Sequence, residues 1–525
     1  MEMDFTLKQI LNEKPNEQGS PVDEIKHKAN FEEAIVATGF GKFNIYLLIL
    51  LIPASFVQAF EQMGLPYALP IAECDLNLTL ERKGLLSAVS FGGMITSGVF
   101  MGIICDIFGR RKLILWGYFL NGLANIVAAL SQNFVMLMVA KFFCGFIFNG
   151  PFSASITLLT EYHASSYRSR VQLFRGVTFS LGFLLLPLIA WTILPVYINY
   201  KIFGFLQIHS WNIFLLCCSM VPFLSAIGFY VIPESPKFLM SKGKNKAALE
   251  VFQKLYRWNS GRSSADYPIK ELKEEECTIR GNQGQKASVL IAVNKFFIHL
   301  KPLFKPPAVF HLILVCTAAY MLTLSMGLFK LWLPQILQHS NSFDTSSNST
   351  SFGVCNMINA LAKPKTESTE VCHVVINTSV YKNSMIIAGP QILIFAVSGL
   401  VVNYLGKTKL IAILCTISSM SAIGLYFAPN TELLITLFAI YIPFVDLARL
   451  TAAAITLELF PTHFRTLAVS FHLMTGRLGS ITANTLFSSL VSTGCITPFL
   501  LCCILTATIT IMTNLYPNTE NKGLQ

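Results

Sequence analysis

Four ionisable side chains sit inside long apolar runs of this chain: Glu61, Asp446, Arg449 and Arg477. A charge at that depth costs about 2.5–3.5 kcal/mol on insertion scales unless a partner charge, a wet cavity or a solute compensates it. Asp446 and Arg449 are three residues apart and share one helix face, so they can offset each other. Arg477 has no acid within a turn of its own helix, so its counter-group must come from another helix or from a ligand. Two kinds of chemistry suit such groups. Glu61 and Asp446 can carry a proton, and Arg477 can hold a substrate or couple to one. The plainer alternative is structural, with Asp446 and Arg449 as a buried ion pair and Glu61 as a capped polar group near an interface. Lys330 and Lys141 lie near the outer ends of their runs, where a long stem lets an ammonium snorkel to water.

No catalytic constellation accompanies these residues. There is no Walker phosphate loop, and the nine His form no His-x-x-x-His pair with a nearby acid. The reading is therefore a non-enzyme with no cofactor and no metal. Hydrophobic residues make up 53% and charged residues 13%, too apolar and charge-poor for a typical soluble protein. The net charge of +11 is then to be sorted by membrane side, and the expected partner is the bilayer, not nucleic acid. The thirteen cysteines show no metal-ligand spacing. The first 30 residues are polar, so no cleavable signal peptide is expected and the first span must direct insertion itself.

The elements that must position these side chains are apolar runs near 44–69, 84–105, 113–131, 134–158, 171–196 and 208–232, then 308–333, 383–402, 410–428, 432–457, 466–491 and 495–516. Each is long enough to span a bilayer as a helix. The expected fold is all-α, with twelve transmembrane helices in two pseudo-symmetric six-helix halves. The expected organisation is a cytoplasmic tail 1–42, a bundle 43–232, a cytoplasmic central loop 233–306 with short helices, a second bundle 307–516 with an external loop 340–381, and a tail 517–525. Phe31–Lys42 reads as a short interfacial helix. Ser235 followed by Pro236 reads as a helix N-cap and first turn.

A charged island, Asp106 to Lys112, separates the second and third runs. Shifting by 297 residues maps Asp106, Gly109, Arg110 and Lys112 onto Asn403, Gly406, Lys407 and Lys409, Glu161 onto Glu458, and Arg168 onto Arg465. One offset aligning two separate charged turns implies homologous halves in the same orientation. With both termini inside, 28 of the 39 Lys and Arg fall in cytoplasmic segments and six in external ones, which fits the positive-inside rule. The sequons at Asn77, Asn348 and Asn377 all fall outside, as glycosylation requires. Asn77 lies close to the membrane. Cys355 and Cys372 in the long external loop are either a disulfide, which an oxidising exterior favours, or two free thiols.

These motifs resemble the major facilitator superfamily. Asp106–Lys112 is similar to its loop between helices two and three. The Glu161/Arg168 and Glu458/Arg465 pairs resemble its charged turns after helices four and ten. Pro233 to Leu239 resembles the segment after helix six in sugar porters, organic ion transporters and synaptic vesicle glycoprotein 2. Phe31 to Phe43, Leu69 to Glu73, and Met474 to Gly479 look most like the last group. The resemblance covers about 31–524, with Asn403 replacing the acid of the second-half motif. It implies that Asp106, Gly109, Arg110, Arg111, Glu161, Arg168, Glu458 and Arg465 form a cytoplasmic gate that breaks when the halves rock apart. It further implies a secondary transporter of a small organic solute, of the organic-ion or sugar-like type, with protons or another ion as coupling partner. The alternative is a vesicle-membrane glycoprotein with a binding or trafficking role. The expected location is the plasma membrane or an intracellular vesicle.

Overall fold

The computed structural model describes residues 28–202, 206–274, 301–344, 377–460 and 462–516. A short helix, α1 (Phe31–Ala37), precedes α2 (Lys42–Asp75), α3 (Leu80–Phe108), α4 (Arg110–Ala129), α5 (Phe134–Glu161) and α6 (Ser165–Ile193). A hairpin of β1 (Asn199–Ile202) and β2 (Leu206–His209) leads into α7 (Ser210–Phe229). Two short helices follow, α8 (Pro236–Ser241) and α9 (Asn245–Ser260). The second half comprises α10 (Ala308–Lys330), α11 (Leu333–Asp344), α12 (Ser379–Leu405), α13 (Lys407–Tyr426), α14 (Thr431–Leu459), α15 (Thr462–Thr493) and α16 (Ile496–Met512).

Ten helices among the described residues are long and apolar enough to cross a membrane. The helices α3 and α15, with 29 and 32 residues, coincide with the two remaining expected spans. The antiparallel hairpin pairs Asn199 with His209 and Ile202 with Leu206, where no strand was expected. Its sequence alternates apolar and polar residues, but four-residue strands give a weak signal. Gln132 clamps the hairpin to the turn between α4 and α5, accepting from Gln207 N at 2.9 Å and donating to its carbonyl at 3.0 Å.

The 297-residue repeat is visible in the backbone. Gly109 (φ 96°, ψ 159°) and Gly406 (φ 76°, ψ 158°) make the same left-handed turn, and their N–H groups cap Cys105 and Val402. Asn133 and Asn430 cap α5 and α14 with nearly identical dihedrals, each accepting from the amide three residues on. Within the first half, α3 and α5 cross closely. A Cβ on Gly93 would stand 2.8 Å from Phe146 N, so only glycine allows that approach.

The halves meet along α3–α15 and α6–α12. The first contact is tight at the end away from the Gly109 turn, where a Cβ on Gly84 would lie 2.5 Å from Asn484 O. The second lies nearer the basic face, where a Cβ on Gly399 would lie 2.5 Å from Leu173 Cδ1.

Beneath the basic face, Ser235 accepts from Phe238 N at 3.2 Å and Pro236 opens α8, as the sequence predicts. Ala248, Phe252 and Leu255 form the buried stripe of α9. Phe31 of α1 packs on Phe252 with ring centroids 6.0 Å apart. A reciprocal capping box between Asn30 and Glu33 starts α1.

Candidate functional site

Asp446 lies near the midpoint of α14 and is fully buried. Its Oδ1 accepts from Arg449 Nε at 3.0 Å and Nη2 at 2.6 Å. Its Oδ2 accepts from Lys330 Nζ at 3.1 Å and Gln391 Nε2 at 2.9 Å. Four donors from α10, α12 and α14 therefore converge on one carboxylate. The expected Asp446–Arg449 pair is present, but it is part of a larger network.

Lys330 does not snorkel. It is 4% exposed, and its ammonium sits 3.7 Å from the ring centroid of Phe183 on α6. Phe183 in turn meets Phe179 edge-on at 4.6 Å. This cation–π contact ties the second half to the first. The sequence placed Lys330 near an outer end because the apolar run was cut at residue 333. The apolar segment continues through α11 to Gln338, so Lys330 lies well inside it.

Arg477 bridges the halves in a different way. Nη1 donates to Met94 O of α3 at 2.9 Å, and Nη2 donates to the side-chain oxygen of Asn149 on α5. Gly98 lies beside this contact, where a Cβ would sit at ordinary packing distance from Asn149 Nδ2 and Arg477 Nη1. The partners of Arg477 are neutral, so they satisfy its hydrogen bonds without cancelling its charge. Arg175 of α6 is similar. Its Nε donates to Gln172 Oε1 at 3.1 Å, and it lies within electrostatic reach of Arg449.

Glu61 belongs to a separate cluster within the first half. Asn125 Nδ2 donates to Glu61 Oε2 at 3.0 Å, while Lys141 Nζ donates to Asn125 Oδ1 at 2.9 Å. Lys141 is thus buried and bonded, contrary to its snorkelling reading. Glu61 Oε1 has no hydrogen-bond partner among the described residues. It lines a small cavity with Val57, Asn125, Lys141 and Cys218.

At the basic face, Glu161 meets Arg110 at 3.6 Å, and the repeat-related Lys407 pairs with Glu458. Arg168 instead binds Glu32 of α1 at 2.7 Å. Burial disfavours the Glu32 carboxylate, but the Ser165 N–H and Arg168 outweigh it and hold its pKa below the usual value. All three ion pairs lie within one half. Arg111 reaches Tyr230 O at 2.7 Å. The side chains of Asp106 and Arg465 lie outside the described residues. Sequence reasoning overlooked Glu234, whose Oε1 accepts from Arg110 N at 2.9 Å and Arg111 N at 3.1 Å. It caps the exposed amides that start α4. An acid beside the Ser-Pro cap of α8 was the available signal.

A sequence profile of the Major Facilitator Superfamily matches residues 51–366. The chain belongs to that superfamily. It is similar to synaptic vesicle glycoprotein 2B of Rattus norvegicus, 24% identical over 238 residues, covering 45% of this chain and 35% of the relative. It is similar to synaptic vesicle glycoprotein 2C of Mus musculus, 24% identical over 336 residues, covering 61% of this chain and 46% of the relative. The chain spans less than half the length of these relatives. Its fold is that of the Escherichia coli xylose transporter XylE in a partially occluded inward-open conformation, with TM-score 0.64, 13% identity, and coverage of 92% of this chain and 100% of that one. The expected fold and membership of the facilitator superfamily both hold. The protein is a multi-pass membrane protein of a transporter family, not an enzyme.

The candidate residues fall into three places and not one. Asp446 and Arg449 share a network with Lys330, Arg477 binds the opposite half, and Glu61 stands apart. Asn77 is exposed in the turn between α2 and α3. The Asn377 side chain accepts from Ser379 N at 3.1 Å, and Asn348 lies outside the described residues. Cys355 and Cys372 also lie outside them. Two cysteines that the sequence did not single out, Cys74 and Cys495, are disulfide-bonded. Both stand at the end of the fold opposite the Gly109 turn.

Proposed function

We propose that this protein is a secondary active transporter that moves a small organic solute by alternating access. The observation that carries this reading is the pair of cations linking the two halves, buried Lys330 to Phe183 and half-buried Arg477 to Met94 and Asn149. A rigid scaffold gains nothing from burying cations at a seam, whereas a transporter needs polar groups where its halves move against each other. The basic face is cytoplasmic in this reading, and disulfide-bonded Cys74 and Cys495 support an oxidising environment opposite it. The gate comprises Asp106, Gly109, Arg110, Arg111, Glu161, Arg168, Glu458 and Arg465. The described ion pairs brace each half internally, so that each moves as a unit. Glu61 is the favoured proton carrier, because one carboxylate oxygen has no hydrogen-bond partner among the described residues and the residue lines a cavity. Asp446 is favoured as the structural anchor.

Uptake by the purified protein in liposomes, screened over organic ions and sugars, tests the reading. Concentrative uptake of any of these supports it. Binding without uptake would favour the vesicle-glycoprotein role instead.

A further inference from the structure

Among the described residues, the cations around Asp446, buried Lys330 and half-buried Arg449 and Arg175, outnumber the acids. The helices α6, α10, α12, α13, α15 and α16 contain no Asp or Glu at all. The other acids of α14, Glu432 and Glu458, sit in its first and last turns. Among the described residues, Asp446 is therefore the one acid that answers Lys330 and Arg449, with Arg175 within electrostatic reach of Arg449, and its oxygens are already filled by four donors. Arg477 adds a further cation at the equivalent level of the first half, where Asn149 stands in the repeat position of Asp446. Glu61 cannot help, since it is turned to Asn125 and lies beside Lys141. His472 lies within electrostatic reach of Arg449, but an imidazole supplies no negative charge.

Uncompensated charge in a low-dielectric interior is costly, and each cation here raises the cost of its neighbours. A neutral sugar would bring hydrogen-bond acceptors but no charge. A cationic solute would be repelled. We propose that Lys330, Arg175 and Arg449 form the recognition site for a small organic anion, a carboxylate-bearing solute whose apolar body packs against the Phe179 and Phe183 wall. Lys330 is the key contact. It is shared between Asp446 of the second half and Phe183 of the first, so an arriving carboxylate competes for it where the halves meet. The inference rests on the transporter reading and names its substrate class.

The full chain, purified in detergent, is to be tested by thermal unfolding against charge-matched probe sets. The sets are benzoate, benzamide and benzylammonium; succinate, succinamide and 1,4-diaminobutane; and glucuronate, glucose and glucosamine, with chloride titrated separately. Stabilisation confined to the organic anion of at least one set is expected. In Lys330→Met the apparent affinity should fall by about tenfold or more, as for truncation of one partner of a buried charge contact. Lys330→Arg should restore most of it. Lys330→Met should still fold, because Asp446 retains Arg449 and Gln391. Stabilisation by neutral or cationic probes, by chloride alone, or by none of the probes would overturn the proposal. So would unchanged anion affinity in Lys330→Met. The two readings separate in proteoliposomes. Anion binding without uptake would count against transport and leave the site standing. Uptake of glucose or benzylammonium, with no anion bound, would leave transport standing and remove the site.

Discussion

Asn149 and Asp446 occupy the same position in the two halves, and each accepts a guanidinium. Arg477 donates to Asn149 across the boundary between the halves, whereas Arg449 donates to Asp446 from the next turn of the same helix. The same repeat offset relates Met94, whose carbonyl accepts from Arg477, to Gln391, which donates to Asp446. The two halves thus share a scaffold and differ in charge. One site holds its cation with neutral groups, and the other with a carboxylate.

Arg477→Gln removes the cation that spans the halves but keeps a polar group for Asn149 and Met94. Expression and glycosylation should stay near normal. Uptake should fall by about tenfold or more, consistent with coupling energies of about 1–3 kcal/mol between moving parts. Initial rates in proteoliposomes, normalised to inserted protein, measure this. Wild-type rates would place the functional site elsewhere.

Asp446→Asn leaves Lys330 and Arg449 buried with no carboxylate. Removing one partner of a buried pair costs about 3–5 kcal/mol. The expected result is low expression and a reduced Tm, with the pH profile of residual uptake unchanged. Glu61→Gln should flatten the pH profile and lower Tm by less than Asp446→Asn, because Lys141 keeps its hydrogen bond to Asn125. A flattened profile in Asp446→Asn would make Asp446 the proton carrier.

Gly109→Ala forces a side chain into φ 96° and drives its Cβ toward the Glu234 carboxylate and Phe238 Cε1, the latter 3.1 Å away. A loss of about 1–3 kcal/mol is expected from backbone strain alone. A smaller Tm drop than for Gly64→Ala, where a Cβ meets nothing within 4 Å, would contradict this account.

The Glu32–Arg168 contact should be pH-dependent in one direction. The folded-state pKa of Glu32 is lowered, so its stabilisation is present above the unfolded value and is lost as pH falls through the folded one. Protection of the α1 amides, measured relative to intrinsic exchange at each pH, should therefore be high at neutral pH and fall once pH drops through the lowered Glu32 value. Glu32→Gln should show low protection at both.

Topology is checked by mobility and access. Glycosidase should shift the protein, and substituting Asn348 and Asn377 should remove most of that shift. A tag in 233–306 should be unreachable from outside intact cells. Labelling there would invert the assigned orientation.

Much of the fold was legible because bilayer thickness and repeat symmetry act on long stretches of sequence. The apolar runs, the 297-residue offset, the two glycine turns and the Ser235–Pro236 cap all came from local rules of length, charge and backbone geometry. The pairing of Asp446 with Arg449 followed from helical spacing alone. Spacing within one helix could not reveal that Lys330 and Gln391 complete the same carboxylate, since their helices are brought together only by packing. Nor could it place Phe183 under Lys330 or Asn149 beside Arg477, because those contacts cross between halves. The sequence by itself determined that charges fall within apolar runs, since composition and hydropathy set depth in the membrane, but not that Lys330 and Lys141 stay buried there. Only the tertiary structure decided which charges meet. A buried ion takes its partners from whichever helices surround it, and no one-dimensional spacing records that arrangement.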